Sequence, residues 1–563
     1  MYHSNKSHFI AFLAILIGIT SLITYYCFKL QPDFGPMWDT CDFLVNALLF
    51  AGKGIGYADL DRPPVLSFLT SIFFRLGYVS ENVIYALDGL IFIFGVIGLY
   101  LMFKLRFDPF KSFLGCLIYV TSPIILMYNS LGLTDIPSIS FIIWSVYFTI
   151  LAFKRDSKYF YLSFPFLMIS FLTRYPSVII IFPIFLYLIM NREKLKNNKV
   201  LMNLIIGIIL SVFVISPVLI WFNINFSNPF YPFFHSFGIT SGASSPYLLF
   251  YNDDPLFFLK NLQYLLGKES ILIVLIVIYA FICYKIQSKF WIKLNLKKCV
   301  KEVLNRLKNN KNVLLLLLLL LILVSLFIIT FGNIFYMFSE VIFFIICILC
   351  YELLKESRFS HLNFDLLFIS WFMSFFILHS VFVIKDIRYF VTMAPGFSYL
   401  LILGLNEISN RFRIKIRNKT NTFQIISIFL ILSLSLSTAS TLIELKEKSS
   451  TYSIRDDLVL ASSWLTKYDP DYKDKIIYSD YWPHSAWYLK TDVEMMPLFK
   501  DNQILYSRLK EYNLNNNDFR HYNQELVNNN ADYYFCIYTE LNLTSYKEIK
   551  EFGKVVIYKK IDK

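Results

Sequence analysis

Charged side chains stand beside the ends of long apolar runs at several places in the chain. Asp39 follows the first such run and Asp135 opens the fourth, while Arg174 and Arg388 each precede a tyrosine at the start of a later run. A carboxylate can take the proton of an attacking hydroxyl group. A guanidinium can stabilise the negative charge that grows on a departing phosphate. These residue types are therefore suited to moving a group from a phosphate carrier to a hydroxyl.

The longest segment that carries such charged residues is the stretch from Met37 to Gly77, between the first two apolar runs. Its apolar residues predict two amphipathic segments held against a membrane. Asp39 could be a catalytic carboxylate or the N-cap of a helix that begins near Cys41. Asp42 is predicted to be either a solvated acid or an acid in the first turn of that helix, where the helix dipole favours it. Arg62, in Asp61-Arg62-Pro63-Pro64, could act at the site or only fix a turn with the two prolines.

The composition indicates a membrane protein. Hydrophobic residues make up 56% of the 563 residues, charged residues make up 17%, and the mean hydropathy is +0.54. A soluble chain of this length would carry more charge. The formal net charge of +13 does not predict nucleic-acid binding, because the basic residues stand in short loops between apolar runs. The 8 cysteines show no spacing typical of a disulfide framework.

About thirteen apolar runs approach the length needed to cross a bilayer. The first run is similar to a signal peptide in length but lacks a small-residue cleavage site, so it is predicted to be the first membrane helix. The region 159–190 is too long for one helix, and Pro176 predicts a break near Arg174. The runs cover residues 9–28, 82–103, 112–130, 136–153, 159–173, 175–190, 200–222, 270–287, 313–331, 334–354, 364–384, 389–405 and 423–442.

The basic residues predict the orientation of the chain. With the N-terminus in the cytoplasm, every loop predicted on that side is basic, as the positive-inside rule requires. These loops are 104–111, 154–158, 191–199, 288–312, 355–363 and 406–422. The first outer loop is then 29–81, and an odd number of spans places the C-terminal tail outside. The sequence therefore predicts a multi-pass protein of the cell membrane.

The tail, residues 443–563, has frequent charges and only short apolar groups. Its pattern predicts a helix at Asp456–Tyr468 and strands at Lys475–Tyr478, Tyr533–Tyr538 and Lys554–Lys559. His484 is predicted to lie on the surface of this tail. The predicted fold is thus a polytopic α-helical membrane domain over residues 1–442, followed by a small extracytoplasmic α/β domain over residues 443–563.

The order of the charged motifs resembles the GT-C membrane glycosyltransferases, especially the broad family of protein mannosyltransferases and the aminoarabinose transferases of lipid A. Asp39 stands at the family's first-loop acid, and Arg62-Pro63-Pro64 matches its basic residue followed by two prolines. Asp135 matches the second-loop acid, and Arg174-Tyr175 and Arg388-Tyr389 match two basic-aromatic pairs. The chain departs from the family at Thr40, where a second acid often stands.

This resemblance implies an inverting transferase that takes a sugar from a polyprenyl-phosphate carrier of the dolichyl type. Asp39 would be the general base, and Asp135 would position the acceptor. Arg388 would pair with the carrier phosphate, and the other predicted substrate-binding residues are Arg62, Arg174, Lys385 and Tyr389. Asp39 and Asp135 would hold a divalent cation, Mg²⁺ or Mn²⁺, if the enzyme uses one. The acceptor could be a glycan, a lipid or a protein; membrane lipids are further partners, and no nucleic acid is expected.

Other interpretations stay open on the sequence. Asp135 is also well placed as the N-cap of the fourth span, and Arg174 and Arg388 could extend toward outer lipid headgroups. A transporter or lipid flippase is the main alternative function, although no internal repeat is visible and the charges gather at outer helix ends. A non-catalytic membrane scaffold whose tail binds a partner is the third interpretation.

Overall fold

The computed structural model describes most of the chain, including every residue of the predicted site. The described residues are 2–53, 60–237, 251–267, 274–276, 278, 311–355, 361–411, 415–416, 419–420, 422–449, 454–500, 503–505, 516–537 and 541–561. Some sequence predictions lie outside them, namely residues 54–59 of the stretch from Met37 to Gly77, most of the run 270–287, most of the loop 288–312, and parts of the loops 355–363 and 406–422.

Eight helices in the described part are long and apolar enough to cross a membrane. They coincide with eight of the runs predicted from the sequence, so the prediction of a multi-pass membrane protein is confirmed. They are α1 (Tyr2–Phe34), α4 (Glu81–Phe103), α7 (Asp135–Lys154), α11 (Asn198–Phe226), α15 (Lys311–Thr330), α16 (Tyr336–Leu354), α17 (Leu362–Val381) and α19 (Thr422–Ser449).

Other predicted runs form shorter or interrupted helices. The run 112–130 is split into α5 (Pro109–Val120) and α6 (Pro123–Tyr128), because a proline begins the second helix. The region 159–190 is split at Arg174, whose backbone is extended with φ −155° and ψ 115°. It forms α8 (Phe160–Thr173), a 3-10 turn at Tyr175–Ile180 and α9 (Ile181–Met190). The break predicted near Arg174 is confirmed.

Another 3-10 turn, Ile387–Thr392, precedes α18 (Ala394–Arg411) and carries Arg388. Both arginines of the predicted basic-aromatic pairs therefore lie where the backbone leaves regular α-helix. Short elements complete the membrane part: α10 (Arg192–Leu195), α12 (Tyr231–Ser236), α13 (Phe257–Lys260), α14 (Leu262–Leu266), and the hairpin of β1 (Lys415–Ile416) and β2 (Lys419–Thr420).

The first outer loop contains two short helices, α2 (Trp38–Phe50) and α3 (Val65–Arg75). Each buries part of its surface, so the two predicted amphipathic segments are confirmed. Gly35 follows α1 with φ +72°, a left-handed conformation that glycine adopts without steric cost. Pro64 immediately precedes α3 and fixes the backbone at its start.

The tail contains helices and a five-stranded sheet. The helices are α20 (Ile454–Tyr468), α21 (Trp482–Leu489) and α22 (Asn516–Asn528). The strands follow one another in the sheet as β4 (Glu494–Met495), β3 (Ile477–Ser479), β7 (Tyr533–Cys536), β9 (Val555–Lys560) and β8 (Tyr546–Phe552). The strand β3 is parallel to β4 and β7, whereas β9 is antiparallel to β7 and β8. A separate hairpin joins β5 (Leu498–Lys500) and β6 (Gln503–Leu505).

The predicted helix and the three predicted strands of the tail are confirmed within a few residues. The strand β8 was not predicted, because its exposed face is charged and its apolar residues are few. The helix α19 continues to Ser449, so the boundary placed after residue 442 falls inside a helix. The division into two domains and the extracytoplasmic location of the tail stay predictions.

The tail and the first outer loop share one hydrophobic core. Leu44 of α2 and Phe74 of α3 belong to the same buried cluster as Leu458 and Trp487 of the tail. The imidazole of His484 is buried, with Nε2 3.2 Å from the carbonyl oxygen of Pro36. The prediction that His484 lies on the surface is therefore wrong, because the sequence of the tail does not reveal that the first loop covers it.

Candidate active site

Six of the seven predicted site residues line one cavity of about 180 Å³. They are Asp39, Arg62, Asp135, Arg174, Arg388 and Tyr389. The cavity lies at one end of the membrane helices, because α7 begins with Asp135 and the lining residues of α17 come from its last turn. The seventh residue, Lys385, is buried outside the lining, and its ammonium donates to the carbonyl of Asn252.

Asp39 is held by two arginines. It is the second residue of α2, whose N-cap is Met37, so the interpretation of Asp39 as the N-cap is wrong. One carboxylate oxygen lies 2.7 Å from Nη1 of Arg388, and the other lies 3.4 Å from Nη2 of Arg62. The side chain keeps 21% of its exposure, which leaves the carboxylate accessible from the cavity.

The charge of Asp39 is set by these neighbours. Burial alone would raise the pKa of Asp39, but the positive charges of Arg388 and Arg62 outweigh burial and hold it below its ordinary value. Asp39 is therefore ionised over the neutral pH range. A carboxylate with a lowered pKa is a weak base, so its basicity depends on where the two guanidinium groups point.

Arg62 joins two carboxylates of the same helix. Besides its contact with Asp39, its Nη2 donates to Oδ2 of Asp42 at 2.8 Å. The side chain of Asp42 has 0% exposure, so the prediction of a solvated acid is wrong. A buried carboxylate needs a partner, and Asp42 provides a fixed anchor that aims Arg62 at the cavity.

Asp135 and Arg174 form the second ion pair of the cavity, with 2.9 Å between Oδ1 and Nη1. The N-cap of α7 is Thr134, so the carboxylate of Asp135 is directed to the arginine and not to its own helix terminus. The Arg174 guanidinium also lies 4.9 Å from the ring centre of Tyr389. Both arginines of the basic-aromatic pairs thus point into the cavity, which contradicts their extension toward lipid headgroups.

Thr40 and Asp88, neither of them predicted to be a site residue, hold the loop before Asp135. The hydroxyl of Thr40 donates to the carbonyl of Leu131 at 3.0 Å, and Oδ2 of Asp88 accepts from the amide of Gly132 at 3.0 Å. Thr40 and Asp88 are both fully buried. Thr40 therefore connects the helix that carries Asp39 to the loop that leads into Asp135. The sequence offers no signal for this contact, because the partners are 91 residues apart.

Two more polar groups complete the site. Asp386 accepts a hydrogen bond from the amide of Arg388 at 3.0 Å and lies 3.2 Å from its Nε, so it orients that guanidinium. At the side of the cavity formed by α12, Nδ1 of His235 lies 2.9 Å from Oδ2 of Asp61. This hydrogen bond raises the pKa of His235 above its ordinary value, partly offset by burial. Neither residue could be placed from sequence spacing.

The donor set does not fit a divalent cation. Within the described residues, no group of three or more His, Cys, Asp or Glu side chains could hold a metal ion. Asp39 and Asp135, the predicted metal ligands, each pair with a guanidinium. Three arginines line the cavity against two carboxylates, so the balance of charge favours an anion.

The fold of this chain is similar to that of two solved structures. The chain has the fold of ArnT from Cupriavidus metallidurans, in the structure bound to undecaprenyl phosphate (11% identity, 97% of this chain and 98% of that chain covered, TM-score 0.55) and in the apo structure (11% identity, 98% of each chain covered, TM-score 0.56). No curated protein matches the chain.

A family model agrees with the structural likeness. The model described as dolichyl-phosphate-mannose-protein mannosyltransferase matches residues 61–221. The matched region contains Arg62, Asp135 and Arg174, whereas Asp39 and Arg388 lie outside it. The resemblance predicted from the sequence is confirmed, by this match for the mannosyltransferase family and by the fold for ArnT.

Proposed function

We propose that this chain is an integral-membrane glycosyltransferase that moves a sugar from a polyprenyl-phosphate-linked donor to a hydroxyl of an acceptor on the extracytoplasmic side. The observation that carries the proposal is the cavity in which Asp39 contacts both Arg388 and Arg62. Such a cavity at the end of membrane helices suits a ligand that has an anionic head and a lipid tail. The ArnT structure with bound undecaprenyl phosphate supports a polyprenyl phosphate as carrier.

The donor phosphate would bind to the arginines. Arg388 and Arg62 can each form charge-assisted hydrogen bonds with phosphate oxygens. Arg388 is the main candidate, because Asp386 orients its Nε while Nη1 points at Asp39. Lys385 is not assigned a phosphate contact, because it does not line the cavity and its ammonium donates to the carbonyl of Asn252.

Binding of the donor would turn Asp39 into a better base. When the phosphate takes up the guanidinium groups, Asp39 loses part of the attraction that lowers its pKa, while its burial remains. Its pKa therefore rises toward a value useful for proton transfer. The carboxylate would be activated only when a donor is present.

The reaction would be a single displacement. The acceptor hydroxyl attacks the anomeric carbon, its proton passes to Asp39, and the bond from that carbon to the phosphate oxygen breaks. The leaving phosphate keeps the electron pair and is stabilised by Arg388 and Arg62. Attack opposite the leaving group inverts the anomeric centre. Asp135, held by Arg174, would position the acceptor, and no metal ion takes part in this scheme.

The proposal is tested with wild type and Asp39→Asn, each purified and reconstituted with radiolabelled polyprenyl-phosphate sugars and native membrane acceptors. We expect wild type to transfer label in the presence of a chelator, and Asp39→Asn to be slower by about 10²–10⁴-fold. Asp33→Asn, an exposed acid next to the same loop, is the matched control and should retain activity.

Each result separates the alternatives. Equal transfer by Asp39→Asn and wild type would remove Asp39 as the base. Loss of transfer with a chelator would contradict the metal-free scheme. Absence of transfer by wild type across several donors, together with movement of labelled lipid between leaflets, would favour a flippase.

A further inference from the structure

A second cavity, of about 310 Å³, lies at the opposite end of the membrane helices. Its lining includes Lys154 at the end of α7 and Leu362 at the start of α17. The first cavity receives residues from the other ends of these same two helices. Each helix has 20 residues, which corresponds to about 30 Å. The two cavities are therefore separated by about the thickness of the hydrocarbon core of a bilayer.

The polar lining of the second cavity is basic. It includes Lys154, Lys194, Lys355 and His361 but no acidic side chain. The nearby acid Glu352 is already shared between Lys355 and Arg192, whose Nη2 lies 3.2 Å from it. The described charges around this cavity are therefore predominantly positive.

Two of these lysines keep donors available. The ammonium of Lys194 donates to the carbonyl of Phe153 at 2.8 Å, and that of Lys154 donates to the carbonyl of Leu105 at 3.3 Å. Each ammonium carries three N–H groups, so these contacts leave two on each lysine. Neither lysine has a carboxylate within 4.0 Å among the described residues.

The neighbouring histidine, His361, is affected both by burial and by the nearby positive charges. Burial, followed by the positive charges of Arg106 and Lys154, lowers the pKa of His361. The Nε atom of Arg106 lies 3.7 Å from the carboxylate of the buried Asp365. A negatively charged ligand would relieve the repulsion among these cations.

The walls of the cavity are suited to a lipid. Aromatic side chains of four helices, Phe153, Tyr187, Tyr351 and Phe364, stand between the polar groups. The helix α16, which contributes Tyr351, has only 28% of its apolar length buried, as expected for a helix with one side facing lipid. By the positive-inside rule this end of the molecule faces the cytoplasmic leaflet, where anionic phospholipids interact with basic residues.

We propose that this basic cavity binds the phosphate headgroup of an anionic phospholipid, with Lys154, Lys194 and Lys355 as the charged contacts and the aromatic walls around the glycerol region. The site is separate from the proposed transferase cavity, so it does not depend on the proposed function. Basic cavities between membrane helices on the cytoplasmic side are a known chemical type of lipid headgroup site.

The test is native mass spectrometry of the full-length protein in detergent, titrated with phosphatidylglycerol or with phosphatidylcholine. We expect wild type to bind phosphatidylglycerol at least about tenfold more tightly than phosphatidylcholine. The double variant Lys194→Gln, Lys355→Gln should lose this preference, by about fivefold per lysine. The matched control is Lys158→Gln, Lys199→Gln, which removes two exposed lysines of the same face that do not line the cavity.

A double variant that keeps the charges and a competition with inorganic phosphate complete the test. The double variant Lys194→Arg, Lys355→Arg keeps both positive charges and should keep the preference for phosphatidylglycerol. A loss in the Gln pair is then due to the lost charges and not to misfolding. Equal binding by the Gln pair and wild type, or equal loss in both Gln pairs, would overturn the proposal. Displacement of the lipid by millimolar inorganic phosphate would assign the cavity to a soluble phosphate and overturn the lipid assignment.

Discussion

At the scale of single residues, the candidate site is a network in which every carboxylate is paired. Asp39 lies between Arg388 and Arg62, and Asp135 lies against Arg174. In the absence of substrate these pairs neutralise one another within a partly buried cavity. A phosphate that enters competes with Asp39 for the guanidinium groups, so donor binding and activation of the base are parts of one event.

Replacement of Arg388 by Gln tests this coupling. The positive charge of Arg388 lowers the pKa of Asp39, so its removal raises that pKa, while Arg62 and Arg174 still lower it. A base must be deprotonated, and activity is lost as the pH falls through its pKa. We therefore expect the acid limb of the kcat/KM profile to move to higher pH in Arg388→Gln, with a fall in donor affinity of about tenfold or more.

The control is Arg155→Gln, which removes an exposed arginine outside the cavity and should leave the profile unchanged. The pH dependence of labelled-sugar transfer gives both profiles. An acid limb at the same pH in Arg388→Gln and wild type would contradict the assignment of Asp39 as the group that titrates.

At the scale of elements, the sequence predicted the membrane helices and the position of the break before Tyr175, because long apolar runs and a proline are local signals. It also placed six site residues that the structure gathers around one cavity. It failed for Asp42 and His484, whose burial depends on partners far away in the chain. Lys385, three residues before Arg388, lies outside the lining of that cavity, since nearness in the sequence does not determine the direction of a side chain in a turn.

The contact between α2 and the loop before α7 yields a prediction at this scale. Thr40→Val keeps the shape of the side chain but removes the hydrogen bond to the Leu131 carbonyl. The carbonyl is then left without this partner, at a cost of about 1–3 kcal/mol, and Asp39 is no longer fixed relative to Asp135. We expect kcat to fall more than KM changes, because the reacting groups are misplaced while the arginines remain.

A second threonine provides the comparison. Thr70 is also fully buried, but its hydroxyl donates to Leu66 within its own helix, so Thr70→Val leaves the relation between Asp39 and Asp135 intact. Thr40→Ser should restore activity, since it restores the donor. Identical kinetics for Thr40→Val and Thr70→Val would show that the Thr40 contact has no role in positioning.

At the scale of the whole molecule, the tail is packed against the element that carries Asp39. Trp38, the residue before Asp39, has its ring centre 4.5 Å from that of Trp482. Trp487 donates to Glu81 at 2.7 Å, at the start of α4. Burial also lowers the pKa of His484 to about 4, so its imidazole, whose centre lies 5.9 Å from that of Trp38, is neutral at physiological pH. Movement of the tail would therefore be transmitted directly to the base.

The packing of the tail against the helix that carries Asp39 can be tested at Gly35, which lies against Arg455 of the tail. An added Cβ would lie 2.1 Å from Cδ of Arg455, whose Nη1 donates to the carbonyl of Pro32 at 2.7 Å. Gly35→Ala must therefore displace Arg455, and it also places a side chain at φ +72°, which costs about 1–2 kcal/mol. We expect a lower Tm, faster proteolytic release of the tail and slower sugar transfer. Gly18→Ala, where a Cβ meets no atom within 4 Å, should change none of these. Slower sugar transfer with an unchanged rate of proteolysis would show that Gly35 affects the site without affecting the tail. That result would contradict the transmission of tail movement to Asp39.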